Sequence, residues 1–383
     1  MKSISFTTTK KLIFGLGAVS QLSDVIKELD INSILVVTGH YSASSGFVNK
    51  ILDPIADSGI PYSVFSDISP NPSIEEAVKC FNALKECKAE AVVGFGGGSA
   101  VDAAKAAALL CNNPFPISQY FGVEMVKKPI LPTIVVPTTS GTGTEVSSGL
   151  VLKDEDAHTK HGVISHYLIP EVAIVDPELT LSLNPRLTAG SGMDAFTHAF
   201  EGLLSIKANP ITEMYQREAI KLIGQSLRIA VEDGSNLQAR YNMSLAATTA
   251  GIGMVSAGCG PVHAMAYPME GKYNVSHGDA NASLLSAYTK EVASASFERI
   301  SEIGVLLGVD LDNLSLKDSA SKVAMAIDEL CKDVGVPKLR DIGVQEEDLE
   351  GFAEIAINNR RLMDSCPVDL SMEMIKKIYH ESF

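Results

Sequence analysis

Asp194 and His198 stand four residues apart in "GMDAFTHAFEG" (192–202). On a helix, side chains at i and i+4 lie on one face, within reach of a single ion. Their neighbours Met193, Ala195, Phe196, Ala199 and Phe200 are apolar, so the acid and the imidazole belong to a buried helix and need partners there. Two more of the chain's 8 histidines, His263 and His277, bracket "HAMAYPMEGKYNVSH". That stretch reads as a helix start at His263, broken by Pro268 and Gly271, after which the chain turns and brings His277 back. One carboxylate and three imidazoles make four donors that suit a first-row divalent ion, Fe(II) or Zn(II), better than Ca or Mg. Taken singly, His263 or His277 reads as a hydrogen-bonded core histidine; the four together favour a metal. His40, His158, His161, His166 and His380 show no such grouping and read as surface or loop residues.

A second chemical signal is "GFGGGSAVDAAK" (94–105), which follows an apolar run and opens a helical one. Gly94, Gly96, Gly97 and Gly98 allow a ligand to approach the backbone without a Cβ in the way. Ser99 and Asp102 have the spacing of a capping box at the helix start. Free amides and the helix dipole there suit a diphosphate, while the plainer reading is a tight strand–helix turn. The G-x-G-x-x-G fingerprint and the acid about 20 residues beyond it are missing, as is the P-loop pattern. A second Gly/Thr loop, "TTSGTGTE" (138–145), offers hydroxyls to the same ligand.

These loops need elements to hold them. Apolar runs at 33–39, 62–68, 90–96, 132–137 and 172–180 read as strands, and 73–88 and 100–111 read as helices, with Ser73 and Glu76 as a capping box. Strands alternating with helices define an α/β layer with a parallel sheet. From Ser191 onward the pattern is helical, as at 211–233, 315–335 and 371–382. The expected organisation is an α/β nucleotide-binding domain over 1–184 and an all-α metal-binding, catalytic domain over 185–383, with ligands in a cleft between them.

Composition narrows the function classes. The 383 residues are 46% hydrophobic and carry a net charge of -15, which argues against a nucleic-acid partner and against a basic membrane-surface patch. The six cysteines form no C-x-x-C pair and read as reduced thiols of a cytoplasmic protein. Tyr241 to Met269 holds no charge and has the length of a membrane span, yet its Gly, Pro, Asn242 and His263 mark buried helix and loop around a site.

Taken in order, "GFGGGSAVDAAK", "PTTSGTGTEV", "IVDPELT", "GMDAFTHAFEG" and "GPVHAMAYPMEGKYNVSHGDANA" resemble the iron-containing (group III) alcohol dehydrogenases over essentially the whole chain. The resemblance implies that family's fold, which is dehydroquinate synthase-like, and a homodimer or larger assembly. It implies metal ligands at Asp194, His198, His263 and His277, and a diphosphate loop at Gly96, Gly97, Gly98 and Ser99. It also implies nicotinamide and ribose contacts at Thr138, Thr139, Thr142, Lys160 and Asn71. The activity implied is hydride transfer between NAD(H) or NADP(H) and a small alcohol or aldehyde, with Fe(II), or Zn(II), as Lewis acid.

Several departures from the family bear on the expectation. Tyr267 stands where relatives often carry a relay histidine, and a phenol is a poorer relay at neutral pH, which leaves water or a ribose hydroxyl to carry the proton. Gly39 replaces the strand-end Asp of NAD-using relatives, which removes repulsion of a 2′-phosphate and slightly favours NADP(H), with Thr38, His40 and Ser42 as phosphate contacts. "CPV" (366–368) replaces an Asn-Pro-Arg, and Gly149 stands where a bulkier residue would fill the substrate pocket. The alternatives are a glycerol-dehydrogenase-like, Zn-dependent polyol enzyme and a non-catalytic nucleotide- or metal-binding protein.

Overall fold

The structure, a computed structural model, describes residues 3–156 and 159–383. His158, read above as a surface or loop residue, lies outside the described residues. The chain divides into two compact units, one of residues 7–139 and 143–180, the other of residues 3–6, 140–142 and 181–383.

Among its described residues the first unit carries nine strands: β1 (Lys11–Phe14), β2 (Ile34–Thr38), β3 (Tyr62–Phe65), β4 (Ala91–Gly96), β5 (Gly122–Val123), β6 (Thr133–Pro137), β7 (Gly149–Asp154), β8 (Thr159–Ile164) and β9 (Val172–Val175). Six of them form a parallel sheet in the order β1-β9-β6-β4-β2-β3. Every residue of β2, β4, β6 and β9 is buried, as unbroken apolar runs such as "ILVVT" and "TIVVP" require when both faces are covered. Alternate residues serve the two faces: Ile34 and Val36 pack with Leu22, Ile26 and Ile51, while Leu35 and Val37 pack with Leu84, Ala103 and Ala107. β3 is an edge strand and alternates between exposed and half-buried residues. Two features escaped sequence reading. β1 pairs with β9, and β7 and β8 form an antiparallel pair flanked by β5. These strands are short or half-buried, so they lack the apolar run that betrays a central strand.

The two capping-box expectations part ways. Ser73 Oγ accepts from the Glu76 amide at 3.1 Å and Glu76 Oε2 accepts from the Ser73 amide at 2.7 Å. At Ser99 no such box forms, because the helix Gly98–Asn112 begins two residues earlier than a Ser99 cap requires, with Gly97 as its N-cap. Ser99 is thus already inside the first turn and Asp102 is free to point elsewhere.

The second unit is helical. Asn184 caps the Pro185–Leu204 helix, its Oδ1 accepting from the Leu187 amide at 2.9 Å, with Pro185 in the first turn. The stretch from Tyr241 to Met269 falls on two helices, Leu237–Ala257 and Pro261–Tyr273, bent by 105°. No single helix among the described residues is long and apolar enough to cross a membrane. One expectation is corrected here: the Pro261–Tyr273 helix runs unbroken through Pro268 and Gly271. The turn comes later, at Asn274, whose φ of 52° is left-handed, and Ser276 then caps the helix His277–Val292. Burial of this helix against its neighbours outweighs the proline, a tertiary effect that local propensity does not contain.

Candidate functional site

Three helix segments converge on the quartet. Asp194 and His198 project from the middle of the Pro185–Leu204 helix, His263 is the third residue of Pro261–Tyr273, and His277 is the first residue of His277–Val292. The donor atoms of the four side chains lie within 4.8 Å of one another. Asp194 Oδ1 stands 3.9 Å from His198 Nε2, 3.9 Å from His263 Nε2 and 3.5 Å from His277 Nε2. Four donors at ordinary bond lengths from a divalent ion sit about 3.3–3.6 Å apart at the corners of a tetrahedron. The quartet is therefore close to coordinating geometry without rearrangement. His263 Nε2 is buried and has no hydrogen-bond partner, a costly state that an ion would relieve.

The other side of two imidazoles is held by carboxylates that sequence reading missed. Glu201 Oε2 lies 2.6 Å from His263 Nδ1, and Glu270 Oε1 lies 2.6 Å from His277 Nδ1. Asn281 Nδ2 bridges Asp194 Oδ1 at 3.1 Å and His277 Nε2 at 3.2 Å. With Nδ1 donating to a carboxylate, each of these Nε2 atoms carries the ring's lone pair, and an ion at the centre of the quartet would take the place of the Asn281 contact on His277. Both glutamates lay inside the segments already singled out, and the available signal was a carboxylate on an otherwise apolar helix face. Burial pushes the Asp194 carboxyl up, but His198, His277 and His263, helped by Asn281, hold it below its ordinary value. Burial alone would raise the Cys259 thiol; His263 and then His198 beside it bring it down to about 6. Tyr267 behaves oppositely: burial dominates and pushes its phenol up to about 12.

The nucleotide candidates gather at the carboxyl ends of adjacent strands of the parallel sheet. The chain leaves β2 toward β3 and leaves β4 toward β6, in opposite directions along the sheet. Such a switch point opens a crevice at the strand ends, the usual dinucleotide position in α/β sheets. Gly39 follows β2, Gly96 ends β4, and Gly97, Gly98 and Ser99 follow it. The Thr138 amide donates to Gly96 O at 3.0 Å, and a Cβ on Gly97 would meet Thr139 Cγ2 at 3.3 Å. Asn71, in the left-handed region at φ 59°, donates its amide to Ser99 Oγ at 3.1 Å and accepts from Lys160 Nζ at 2.8 Å. Thr142 sits on the short segment 140–142 that groups with the helical unit, where Ser140 Oγ lies 3.0 Å from Ser244 Oγ.

Other expectations need correction. Asp102, expected at the cofactor, has its carboxylate engaged within the protein, accepting from Thr144 Oγ1 at 3.2 Å and from the Val151 amide at 3.0 Å. Beside it the fully buried Lys105 donates to Thr144 O at 2.8 Å, Ser147 O at 3.0 Å and Gly149 O at 3.1 Å. The pair staples the glycine-loop helix to the second Gly/Thr loop. Burial raises Asp102 to about 6 and lowers Lys105 to about 8, each opposed by the other's charge. Gly149 opens no pocket, because a Cβ there would press on Ile164 Cδ1 at 3.0 Å. Cys366 is a buried core residue with its Sγ 3.3 Å from Tyr288 Oη. Near Gly39, Thr38 is fully buried and the Ser42 hydroxyl is turned inward, leaving His40 exposed. His166 and His380 are likewise exposed, and His161 is half-buried.

A unit built on a parallel sheet and a helical unit carrying an Asp-His-His-His quartet that could hold an ion are the parts expected of a metal-dependent dehydrogenase. Residues 9–177 match the iron-containing alcohol dehydrogenase family, and residues 188–383 match the C-terminal part of the Fe-containing alcohol dehydrogenase family. The chain belongs to this family, and the enzyme is an alcohol dehydrogenase-type oxidoreductase. It is 37% identical over 373 residues to long-chain-alcohol dehydrogenase 1 of Geobacillus thermodenitrificans, covering 96% of this chain and 94% of that protein. It is 33% identical over 348 residues to the NAD-dependent methanol dehydrogenase of Bacillus methanolicus, covering 91% of each. The crystal structure of a 1,3-propanediol oxidoreductase matches over 100% of both chains, with a TM-score of 0.97 and 34% identity.

Proposed function

We infer that the protein interconverts small alcohols and aldehydes by hydride transfer with a nicotinamide dinucleotide, using an ion held by Asp194, His198, His263 and His277. The convergence of these four donor atoms within 4.8 Å carries the reading. An Fe(II) or Zn(II) ion there supplies Lewis acidity that stabilises negative charge on the substrate oxygen. The remaining work falls to the chain. Gly96, Gly97, Gly98 and Ser99 present amides and a hydroxyl to the diphosphate, while Asn71, Thr138, Thr139, Thr142 and Lys160 hold the nicotinamide end. Tyr267, with its phenol pushed up to about 12, keeps its proton at neutral pH and stands with its ring 6.3 Å from that of His277, a poor relay. The proton leaves through water or the ribose hydroxyl. The six cysteines are free thiols, which supports a cytoplasmic enzyme, and the family resemblance supports a homodimer or larger assembly.

An aldehyde series assayed on anaerobically Fe(II)-loaded protein with NADH and NADPH tests the function. Aldehyde-dependent cofactor oxidation is expected, lost on chelation and restored by Fe(II) or Zn(II). Preference for glycerol with Zn(II) would favour the polyol reading, and no turnover with any aldehyde would favour a binding protein.

Cofactor choice is decided at Gly39, and we expect NADP(H) to be accepted. Gly39 has φ -81° and ψ 157°, open to any residue, and a Cβ there would meet only Ile68 O at 4.0 Å. The backbone therefore does not demand glycine, and the missing side chain leaves room near His40. Gly39→Asp is expected to fold normally and to lower kcat/KM for NADPH at least about tenfold relative to NADH, since juxtaposed like charges cost several kcal/mol. Steady-state kinetics with both cofactors measure the ratio; an unchanged ratio, or a strong NADH preference in the unaltered enzyme, removes the proposal.

A further inference from the structure

The four donors of the quartet are not equally held. The side chains of Asp194, His198 and His263 are 3%, 5% and 2% exposed, whereas that of His277 is 28% exposed. Packing immobilises three of the donors and leaves the fourth, on the first residue of its helix, with room to turn. What stops it is the Glu270 carboxylate, 0% exposed, which accepts from Nδ1 at 2.6 Å across the Asn274 turn. Asn281, one helical turn beyond His277, meets the opposite nitrogen at 3.2 Å with its amide Nδ2. An amide N–H can donate only to a lone pair, so both contacts specify the same tautomer, with Nδ1 protonated and the single Nε2 lone pair turned to Asn281, a contact that an ion in the quartet would replace.

Glu201, the corresponding carboxylate on His263, has further duties. It also accepts from the backbone amides of Gly260 at 2.8 Å and Val262 at 2.6 Å, and so caps the start of the Pro261–Tyr273 helix. Its loss would unravel a helix end together with the site.

We propose that Glu270 is the positioning residue that fixes the orientation and tautomer of His277, and thereby sets how tightly the quartet holds its ion. The proposal rests on the quartet being a metal site. The buried carboxylate also makes the imidazole a stronger donor, since the negative charge on Nδ1–H pushes electron density toward Nε2. The least buried ligand is thus anchored from the preceding helix rather than from its own.

Metal-free protein is titrated with Co(II) against a chromophoric chelator, and the visible spectrum of the bound Co(II) is recorded, for the unaltered chain, Glu270→Gln and Glu270→Ala. Thermal melting of the metal-free forms checks the fold. Glu270→Ala is expected to bind Co(II) about 10–100-fold more weakly, with an altered ligand-field spectrum as His277 swings out. Glu270→Gln, whose amide oxygen still accepts from Nδ1, is expected to recover much of the affinity and the unaltered spectrum. At saturating metal, kcat for both is expected to return to within about tenfold of the unaltered enzyme, because Glu270 touches no reacting atom. If the alanine variant does not fold, Glu270→Leu fills the same volume without an acceptor and replaces it. Unchanged affinity and spectrum in the alanine or leucine variant overturn the proposal, as does a glutamine variant no better than alanine. An unaltered chain that binds no Co(II) at the quartet overturns the metal reading itself, and with it the proposal.

Discussion

Asp194→Asn is expected to leave the protein folded while lowering metal affinity at least about 100-fold and kcat/KM at least about 1000-fold. The substitution is isosteric and keeps a polar oxygen for the Asn281 amide, so the helix packing around residue 194 has no reason to change. What disappears is the only anionic donor of the quartet, 2% exposed and 3.5–3.9 Å from three imidazole nitrogens. In a buried site, a carboxylate facing three imidazoles is worth far more than in water, and a neutral amide oxygen is a poor ligand for a first-row ion. The imidazoles feel the change too. Burial opposes charge on His198, and Asp194 is the largest influence that restores it. Elemental analysis after dialysis, with steady-state kinetics on the same preparation, measures both effects. A variant with full metal content and activity within about tenfold of the unaltered enzyme would rule out Asp194 as a ligand.

Gly278→Ala is expected to be the most damaging small substitution near the site. A Cβ on Gly278 would stand 1.9 Å from Gly190 O and 2.5 Å from Gly190 C. Ordinary carbon–oxygen contacts are about 3.3–3.6 Å, so the two helices would have to separate by more than an ångström. One of them carries Asp194 and His198 and the other carries His277. Overpacking of this kind costs about 3 kcal/mol, equivalent to a fall of about 6–12 °C in Tm, and displacement of His277 by an ångström costs about 100-fold in activity. The partner position provides the control. A Cβ on Gly190 would meet Ser276 Oγ at 3.6 Å and Asp279 Oδ1 at 3.8 Å, both ordinary contacts. Gly190→Ala is expected to fall within about 1 kcal/mol of the parent, since alanine also favours the helix. Thermal melting and metal titration of the two variants separate a steric crossing from a general intolerance of alanine; equal behaviour would count against the crossing.

Reading the chain ahead of its structure succeeded where the relevant physics is local. The four central strands are apolar runs that only a sheet covered on both faces can bury, and their segments were identifiable for that reason. Asp194 and His198 share a helix face by spacing alone. Where local rules competed with burial, they misled. Pro268 does not break its helix, and Ser99 is not an N-cap because the helix starts at Gly98. Asp102, placed at the cofactor by its position beside the glycine loop, is turned to Thr144 and Val151, which lie 42 and 49 positions away.

By itself the sequence determined which donors exist, which loop is free of Cβ atoms beside a helix start, and which segments must be buried, because residue type and short-range spacing settle those matters. Only the tertiary structure decided where His263 and His277 aim and which carboxylates hold them. It also decided that two glycines, Gly190 and Gly278, let the ligand-bearing helices touch. Such choices depend on contacts between residues up to 88 positions apart, as from Gly190 to Gly278, whose free energy exists only once the helices pack.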